Sequence, residues 1–373
     1  MKKLKVLQIN KMYDPVTGGV ERVVQQIAEG LKDQVDMRVL VCQQKGKGRA
    51  ERINGVPVVR ASSMGILFSM PVSLTFIPKL RKMARKQDVL HLHMPFPLGD
   101  VACLLSGFKG RIVVWWHSDI VRQKKLMRLY KPIMLRMLDR ADAIVVATQG
   151  HIDGSDYLGA YREKCIVVPF AVSDGFLKIA RQEDAVPETQ NEKIRFLFVG
   201  RMVYYKGCEI LIQAFAKIEN AELVMVGQGP LESSLKEMAQ RLGIRDRVHF
   251  YGNMSDAKIA REYRKCDVLV LPSVEKSEAF GLVQIEAMAF GNPVINTRLD
   301  SGVPYVSLDG ETGFTVPPGD VEALSTAMKR LAEDAELRSR MGAAARQRVI
   351  SHFTERAMLE GVFRVYQGQE EGK

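Results

Sequence analysis

Phe198-Val199-Gly200-Arg201-Met202-Val203-Tyr204-Tyr205-Lys206-Gly207 reads as the end of an apolar strand, a glycine turn with two cations, and the start of a helix over residues 208–217. That order places free helix N–H groups and a positive dipole end beside Arg201 and Lys206. A guanidinium, an ammonium and a helix terminus converging on one point suit a diphosphate; two solvated surface charges would need no such setting. The same unit occurs near the N-terminus, where the strand 5–10 leads into Thr17-Gly18-Gly19-Val20-Glu21 and a helix over 21–32. This turn is not GxGxxG, and no acid stands where a dinucleotide fingerprint needs one for the ribose. By itself it fits an anion site and a ligand-free tight turn equally well.

Outward from these two turns, short apolar runs alternate with amphipathic stretches. Strands are predicted at 37–42, 56–60, 89–93, 111–116, 143–147 and 165–169 in the first half, with helices at 80–87 and 124–140. After a pause the alternation resumes, with strands at 196–199, 223–226, 248–251, 268–271 and 293–296. Near-continuous apolar strands separated by helices indicate parallel sheets covered on both faces. The expected fold is α/β, with two doubly wound units in tandem and ligands at the carboxyl ends of the strands. The pause at 171–192, rich in Asp, Glu and Pro and without periodicity, is read as a linker between a domain at 1–170 and one at 193–350. The stretch 321–367 reads as helical, broken at Gly342 and at residues 351–354.

The 373 residues suffice for two or three cores. No apolar run is long enough to span a bilayer, and the N-terminus shows no cleavage-site pattern of a signal peptide. Five scattered cysteines without a CxxC pair indicate a reducing, cytoplasmic setting, with neither a disulfide framework nor a zinc site. The net charge of +11 is uneven: residues 1–170 hold 28 Lys and Arg against 14 Asp and Glu, whereas the remainder holds 26 against 29. The basic half therefore favours an anionic partner, with nucleic acid, anionic lipid and a phosphorylated substrate all fitting so far.

Glu278 and Glu286 lie eight residues apart in Glu278-Ala279-Phe280-Gly281-Leu282-Val283-Gln284-Ile285-Glu286. On one helix they would be separated by ~12 Å along the axis, too far for the carboxylate pair of a retaining hydrolase. That spacing suits the two ends of an elongated ligand, a sugar at Glu278 and a ribose diol at Glu286. Glu286 sits in an otherwise apolar run, where a buried carboxylate needs a partner. His91 and His93 share one strand face without a third metal ligand. His117 ends the strand 111–116 at the carboxyl edge and is the best placed histidine for substrate contact. No Asp-Xaa-Asp occurs, so a metal-chelated nucleotide has no evident ligand set.

Together these pieces resemble the family 4 (group 1) retaining glycosyltransferases of the GT-B fold, in which two Rossmann-like domains face a cleft. The resemblance runs through Gly18-Gly19, His117, Val168-Pro169-Phe170, Gly200-Arg201, Lys206-Gly207, Gly227-Gln228-Gly229-Pro230, Leu271-Pro272-Ser273, Glu278…Glu286, Gly291-Asn292-Pro293-Val294 and Thr312-Gly313-Phe314. It implies a nucleotide-sugar donor held mostly by the second domain. Arg201 and Lys206 would neutralise the diphosphate in place of a metal. Glu286 would bind the ribose hydroxyls and Glu278 those of the transferred sugar; Gly19 would lend its N–H to the phosphate, and His117 would face the sugar. Gly18, Gly200, Gly227, Gly229, Phe280, Gly281 and Leu282 complete the implied donor site.

The resemblance further implies that a last helix, 351–373, crosses back to the first domain, that neither a cofactor nor a metal is required, and that the acceptor is a lipid-linked or polysaccharide glycan. Two stretches depart from the family pattern: Ala171 replaces a common glycine, and Asp300-Ser301-Gly302-Val303-Pro304 replaces a double glycine near the donor. The donor thus stays open between GDP-mannose and a UDP-sugar. The Trp116-His117-Ser118-Asp119-Ile120-Val121-Arg122 stretch is similar to that of bacterial O-antigen-type transferases. On this reading the basic half, with Lys79, Arg81, Lys82, Arg85 and Lys86 after the apolar stretch 66–77 and a second basic helix at 124–140, meets the anionic inner face of the cytoplasmic membrane. The alternatives are a non-catalytic GT-B subunit that scaffolds a partner transferase and a nucleic-acid-binding protein, for which no motif is present. A nicotinamide dehydrogenase is more distant still.

Overall fold

Most of the strands are short apolar runs, rich in β-branched residues and bounded by turn residues. In a computed structural model of the chain they are, in order, β1 (Lys5–Ile9), β2 (Asp36–Cys42), β3 (Arg49–Ile53), β4 (Val56–Ala61), β5 (Ile66–Leu67), β6 (Met70–Pro71), β7 (Val89–Met94), β8 (Arg111–Trp116), β9 (Ala143–Val146), β10 (Cys165–Val167), β11 (Ile194–Val199), β12 (Ala221–Val226), β13 (Val248–Tyr251), β14 (Val268–Val270), β15 (Val294–Thr297) and β16 (Gly313–Val316). The helices are α1 (Gly19–Leu31), α2 (Phe76–Ala84), α3 (Pro97–Leu105), α4 (Lys124–Arg140), α5 (Gln149–Asp153), α6 (Asp174–Arg181), α7 (Cys208–Phe215), α8 (Glu232–Arg241), α9 (Asp256–Lys265), α10 (Leu282–Ala289), α11 (Val303–Val306), α12 (Val321–Glu333), α13 (Ala335–His352) and α14 (Glu355–Gln367).

The structure describes residues 3–16, 18–68, 70–120, 124–181 and 193–369, without the side chains of 124–126. Thr17, Val121, Arg122 and the 182–192 part of the expected linker lie outside them, as do the side chains of Lys124 and Lys125. No helix of the described residues is long and apolar enough to cross a membrane.

Two compact units result, one of Met1–Ala147, Ser155–Pro169 and Arg356–Lys373, the other of Thr148–Gly154 and Phe170–Glu355. The first holds an eight-stranded sheet in the order β10-β9-β8-β7-β1-β2-β4-β3, parallel except for the edge strand β3, which runs antiparallel to β4. The second holds a six-stranded sheet, β13-β12-β11-β14-β15-β16, with every neighbouring pair parallel. Its order reverses direction between β11 and β14, the topological switch point where doubly wound sheets bind ligands. Phe196, Phe198, Leu223, Met225, Leu211 and Phe215 form the core beneath that point.

Three expectations need correction. The 171–192 stretch is not all linker: α6 forms there because Phe176 and Leu177 are buried, Phe176 edge-on to Tyr263 and Phe290. Gly342 does not break a helix but lies inside α13, where a Cβ would collide with the Gly291 carbonyl oxygen, and the break falls at Asp334, whose side chain caps α13 by accepting from the Leu337 N–H. Glu278 is not on the helix that carries Glu286, because α10 begins only at Leu282 after Gly281 in the left-handed region, at φ 72°. The last helix, expected at 351–373, is α14 (Glu355–Gln367), and it packs within the first unit: Tyr366 bonds His91, and Arg111 Nε donates to the Val365 carbonyl at 2.8 Å.

Candidate functional site

In the second unit the loop after β11 and the loop after β14 meet at the switch point. Gly207 has φ 65°, and a Cβ there would collide with the Pro272 carbonyl oxygen of the facing loop, so the left-handed turn and the close approach both require glycine. The Val274 N–H donates to the Tyr205 carbonyl at 2.8 Å, and the Tyr204 hydroxyl donates to Glu275 Oε2 at 3.0 Å. Between these ties Lys206 and Glu278 form an ion pair, with side chains only 12% and 10% exposed. The buried Ser273 hydroxyl donates to the same Glu278 oxygen at 3.1 Å. Burial alone would lower the Lys206 ammonium, but the charge and hydrogen bond of Glu278 hold it above the usual lysine range.

The loop is supported from behind. Gln284 Nε2 donates to the Phe280 carbonyl at 2.7 Å, and Asn296 Nδ2 donates to Gln284 Oε1 at 2.9 Å. The Thr315 hydroxyl donates to Asn296 Oδ1 at 2.7 Å, and the Thr297 hydroxyl to the Ser273 carbonyl at 2.6 Å. A satisfied buried network of this kind fixes one arrangement of the backbone. The Asp300–Pro304 loop joins it, with the Gly302 N–H donating to the Ala279 carbonyl at 2.7 Å. A Cβ at Gly302 would strike His151, so this loop keeps one glycine for packing.

In the first unit, side chains of β7 and β8 line up as an aromatic ladder. His93 Nδ1 meets His117 Nε2 at 2.9 Å, and His93 Nε2 meets Gln8 Oε1 at 3.1 Å. Gln8 turns its amide nitrogen to Met37 Sδ at 3.8 Å, so its oxygen accepts from His93 Nε2–H, and His93 Nδ1 in turn accepts from His117 Nε2–H. Trp115 stacks on all three histidines, 5.9–6.0 Å between ring centroids. Burial drives His93 well below the ordinary histidine range and His91 to about 3, which keeps these two rings neutral.

Two family models match the chain: the glycosyl transferase 4-like domain over residues 18–171 and glycosyl transferases group 1 over residues 180–348. The chain belongs to the group 1 glycosyltransferases. The D-rhamnosyltransferase WbpZ of Pseudomonas aeruginosa is 36% identical over 357 residues, covering 94% of this chain and 92% of its own. The O-antigen chain mannosyltransferase C of Escherichia coli is 32% identical over 366 residues, covering 97% and 98%. Among solved structures, Anabaena HepE in complex with UDP superposes with a TM-score of 0.80 at 18% identity, over 98% of this chain and all of that one, a likeness of fold. That fold is GT-B.

Within this glycosyltransferase the expected site residues divide clearly. Lys206 and Glu278 are together. Arg201 follows Gly200 on the same loop and is exposed. Glu286 has the partner its apolar setting demanded, the buried Tyr263 hydroxyl at 2.8 Å, which the sequence reading missed because it comes from α9.

Gly200, Gly227 and Gly229 pack backbone against backbone: a Cβ at Gly227 would hit the Gly200 carbonyl oxygen, and one at Gly229 that of Met202. The Phe280 ring is not open to a ligand; it is 2% exposed and edge-on to Phe170 and Phe353 at 5.0 and 6.0 Å. Gly281 and Leu282 instead offer backbone N–H groups at the start of α10. Gly18 caps α1 and Gly19 opens it, but the Glu21 carboxylate lies against Gly18, so a protein acid already faces this helix terminus. Among the described residues, no group of three or more His, Cys, Asp and Glu could hold a metal ion.

Proposed function

We propose that this glycosyltransferase moves a hexose, with retention of anomeric configuration and without a metal ion, from a nucleotide-diphosphate sugar to a lipid-linked or polysaccharide acceptor in cell-surface glycan synthesis. The observation that carries this reading is the Lys206–Glu278 pair at the switch point of the second sheet. Lys206, with Arg201, stabilises the charge that grows on the leaving diphosphate, the kind of preorganised electrostatics that supplies most of such a barrier reduction. Glu278 takes hydroxyls of the departing sugar, and Glu286, oriented by Tyr263, takes the ribose diol.

Because Glu278 is neutralised by Lys206 and bonded by Ser273, it is a poor nucleophile. This favours a same-face displacement in which the leaving phosphate accepts the proton of the acceptor hydroxyl. One bond to the anomeric carbon breaks, one forms, and the proton leaves with the diphosphate. On this reading His117 faces the donor sugar; within the first unit its Nε2–H is committed to His93. The D-rhamnosyltransferase WbpZ and the E. coli O-antigen chain mannosyltransferase support an O-antigen-type glycan; the donor stays open between GDP-mannose and a UDP-sugar, the latter supported by the HepE complex with UDP. We place the enzyme in the cytoplasm, peripheral on the inner membrane face.

A transfer assay with GDP-mannose, GDP-rhamnose and UDP-hexoses, in the presence of EDTA, on lipid-linked glycan acceptors tests the reading. An α-linked product from an α-linked donor, with Lys206→Ala and Glu278→Ala inactive but folded, is expected. An inverted product, or wild-type rates in either variant, contradicts it. Donor binding lost altogether would favour the scaffold reading, which the intact Arg201, Lys206, Glu278 and Glu286 weigh against.

A further inference from the structure

The membrane contact expected from the basic half raises the question of which apolar surface is left to make it. The two basic helices turn most of their apolar side chains inward: α2 buries Phe76, Leu80 and Ala84, and α4 buries Met127, Tyr130, Met134, Met137 and Leu138, with Leu129 alone strongly exposed among its described side chains. The exposed apolar cluster is at the β5–β6 hairpin. Met64, Ile66, Leu67, Phe68 and Leu74 are 63%, 48%, 57%, 64% and 80% exposed, five of the thirteen exposed large hydrophobic side chains among the described residues, all within residues 64–74. Scattered exposed apolar residues need no explanation, but a cluster of this kind marks an interaction surface.

The hairpin projects from a tied base. The Met64 N–H donates to the Val72 carbonyl and the Val72 N–H to the Gly65 carbonyl, both at 2.9 Å. Below them Ser63 exchanges two backbone hydrogen bonds with Gly46, and the Ser62 N–H donates to Thr75 Oγ1 at 3.0 Å. Directly after the hairpin, α2 and its C-terminal end present Arg81, Lys82, Arg85 and Lys86 to solvent. Residues 64–87 contain five Lys and Arg and no Asp or Glu. An apolar tip beside an unopposed cationic face is complementary to an anionic bilayer, with acyl chains for the tip and headgroups for the cations.

We propose that the β5–β6 hairpin inserts into the interface of an anionic lipid bilayer while the basic face of α2 lies on its headgroups. This deepens the membrane part of the proposed function, yet rests on no donor or acceptor assignment. In the full-length chain, Phe68→Trp reports insertion directly, since the native Trp115 and Trp116 are buried and serve as the silent background.

With vesicles of equal parts phosphatidylglycerol and phosphatidylethanolamine, its emission should shift to the blue and be quenched by acyl-brominated lipid; phosphatidylcholine vesicles should give neither effect. The Leu67→Ser/Phe68→Ser variant should partition at least ~10-fold less at both low and high salt, whereas Arg81→Glu/Lys82→Glu should lose binding chiefly at low salt. Nucleotide titration of the hairpin variant should match wild type, which separates this proposal from the donor assignment. Unquenched emission at position 68, or wild-type partitioning of the hairpin variant, overturns the proposal. So does light scattering that shows the hairpin holding two copies of the chain together while vesicle binding is unaffected.

Discussion

Replacing Glu278 with Gln should separate nucleotide binding from sugar transfer. In the structure the Lys206 ammonium is committed to Glu278. If it also donates to a diphosphate oxygen, two N–H···O contacts of about 2.8 Å place carboxylate and phosphate oxygens no more than about 5.6 Å apart. At an effective dielectric of 20 their repulsion is about 3 kcal/mol, and about half of that survives beside water. Glu278→Gln retains an oxygen for Ser273 and Lys206 but removes this repulsion, so UDP or GDP should bind roughly tenfold more tightly. Transfer should fall because the sugar loses its carboxylate. Lys206→Met removes the cation instead: nucleotide affinity should drop by up to about 100-fold, and stability by about 3 kcal/mol as Glu278 loses its partner. Isothermal titration of both variants with the nucleoside diphosphate, beside initial rates, decides the matter. If Glu278→Gln weakens nucleotide binding as much as Lys206→Met does, the reasoning is refuted.

Other outcomes follow from single features. Gly207→Ala should cost about 3 kcal/mol or more in chemical denaturation, whereas Gly243→Ala, at φ 69° but with open space around it, should cost only ~1 kcal/mol; equal losses would remove the Pro272 collision as the cause. Asp100 is buried, and burial raises its carboxyl to about 8, with the Tyr130 hydrogen bond and the Lys11 charge opposing. A carboxyl raised in the folded state contributes fully only below the unfolded value, and that contribution is lost as pH rises toward 8. Asp100→Asn should therefore flatten the fall in stability between pH 5 and 8 and gain about 4 kcal/mol at pH 7, while a variant curve that tracks wild type would refute it. His93→Phe deprives His117 of its acceptor, so kcat should fall about tenfold with nucleotide Kd unchanged; a parallel loss of nucleotide binding would point to structural damage instead.

The alternation of apolar strands and helices was legible because buried parallel strands need long apolar runs, and every strand expected from them is present. The elements missed were those without such a signal. β3 is Arg-Ala-Glu-Arg-Ile on a sheet edge, β16 is four residues opened by a glycine, and α6 hides its two buried residues in a charged stretch. Within the site, the loop glycines and cations were readable from local order. Their partners were not: Ser273 for Glu278, Tyr263 for Glu286, and Gln284 with Asn296 behind the loop all depend on which strands become neighbours. Glu278 and Glu286 were measured as if on one helix because an apolar run hides the break that Gly281 makes. The basic helices pointed to a lipid surface, but only side-chain exposure separates their covered faces from the hairpin beside them.

The central claim, a metal-independent nucleotide-sugar site in the second unit, is tested most directly by calorimetric titration of the wild-type chain with UDP, GDP and their sugar conjugates, with and without EDTA. One preferred nucleotide, bound with the same Kd in both buffers and lost in Lys206→Met, is the predicted result. Binding that vanishes with EDTA, or persists unchanged without Lys206, would contradict it.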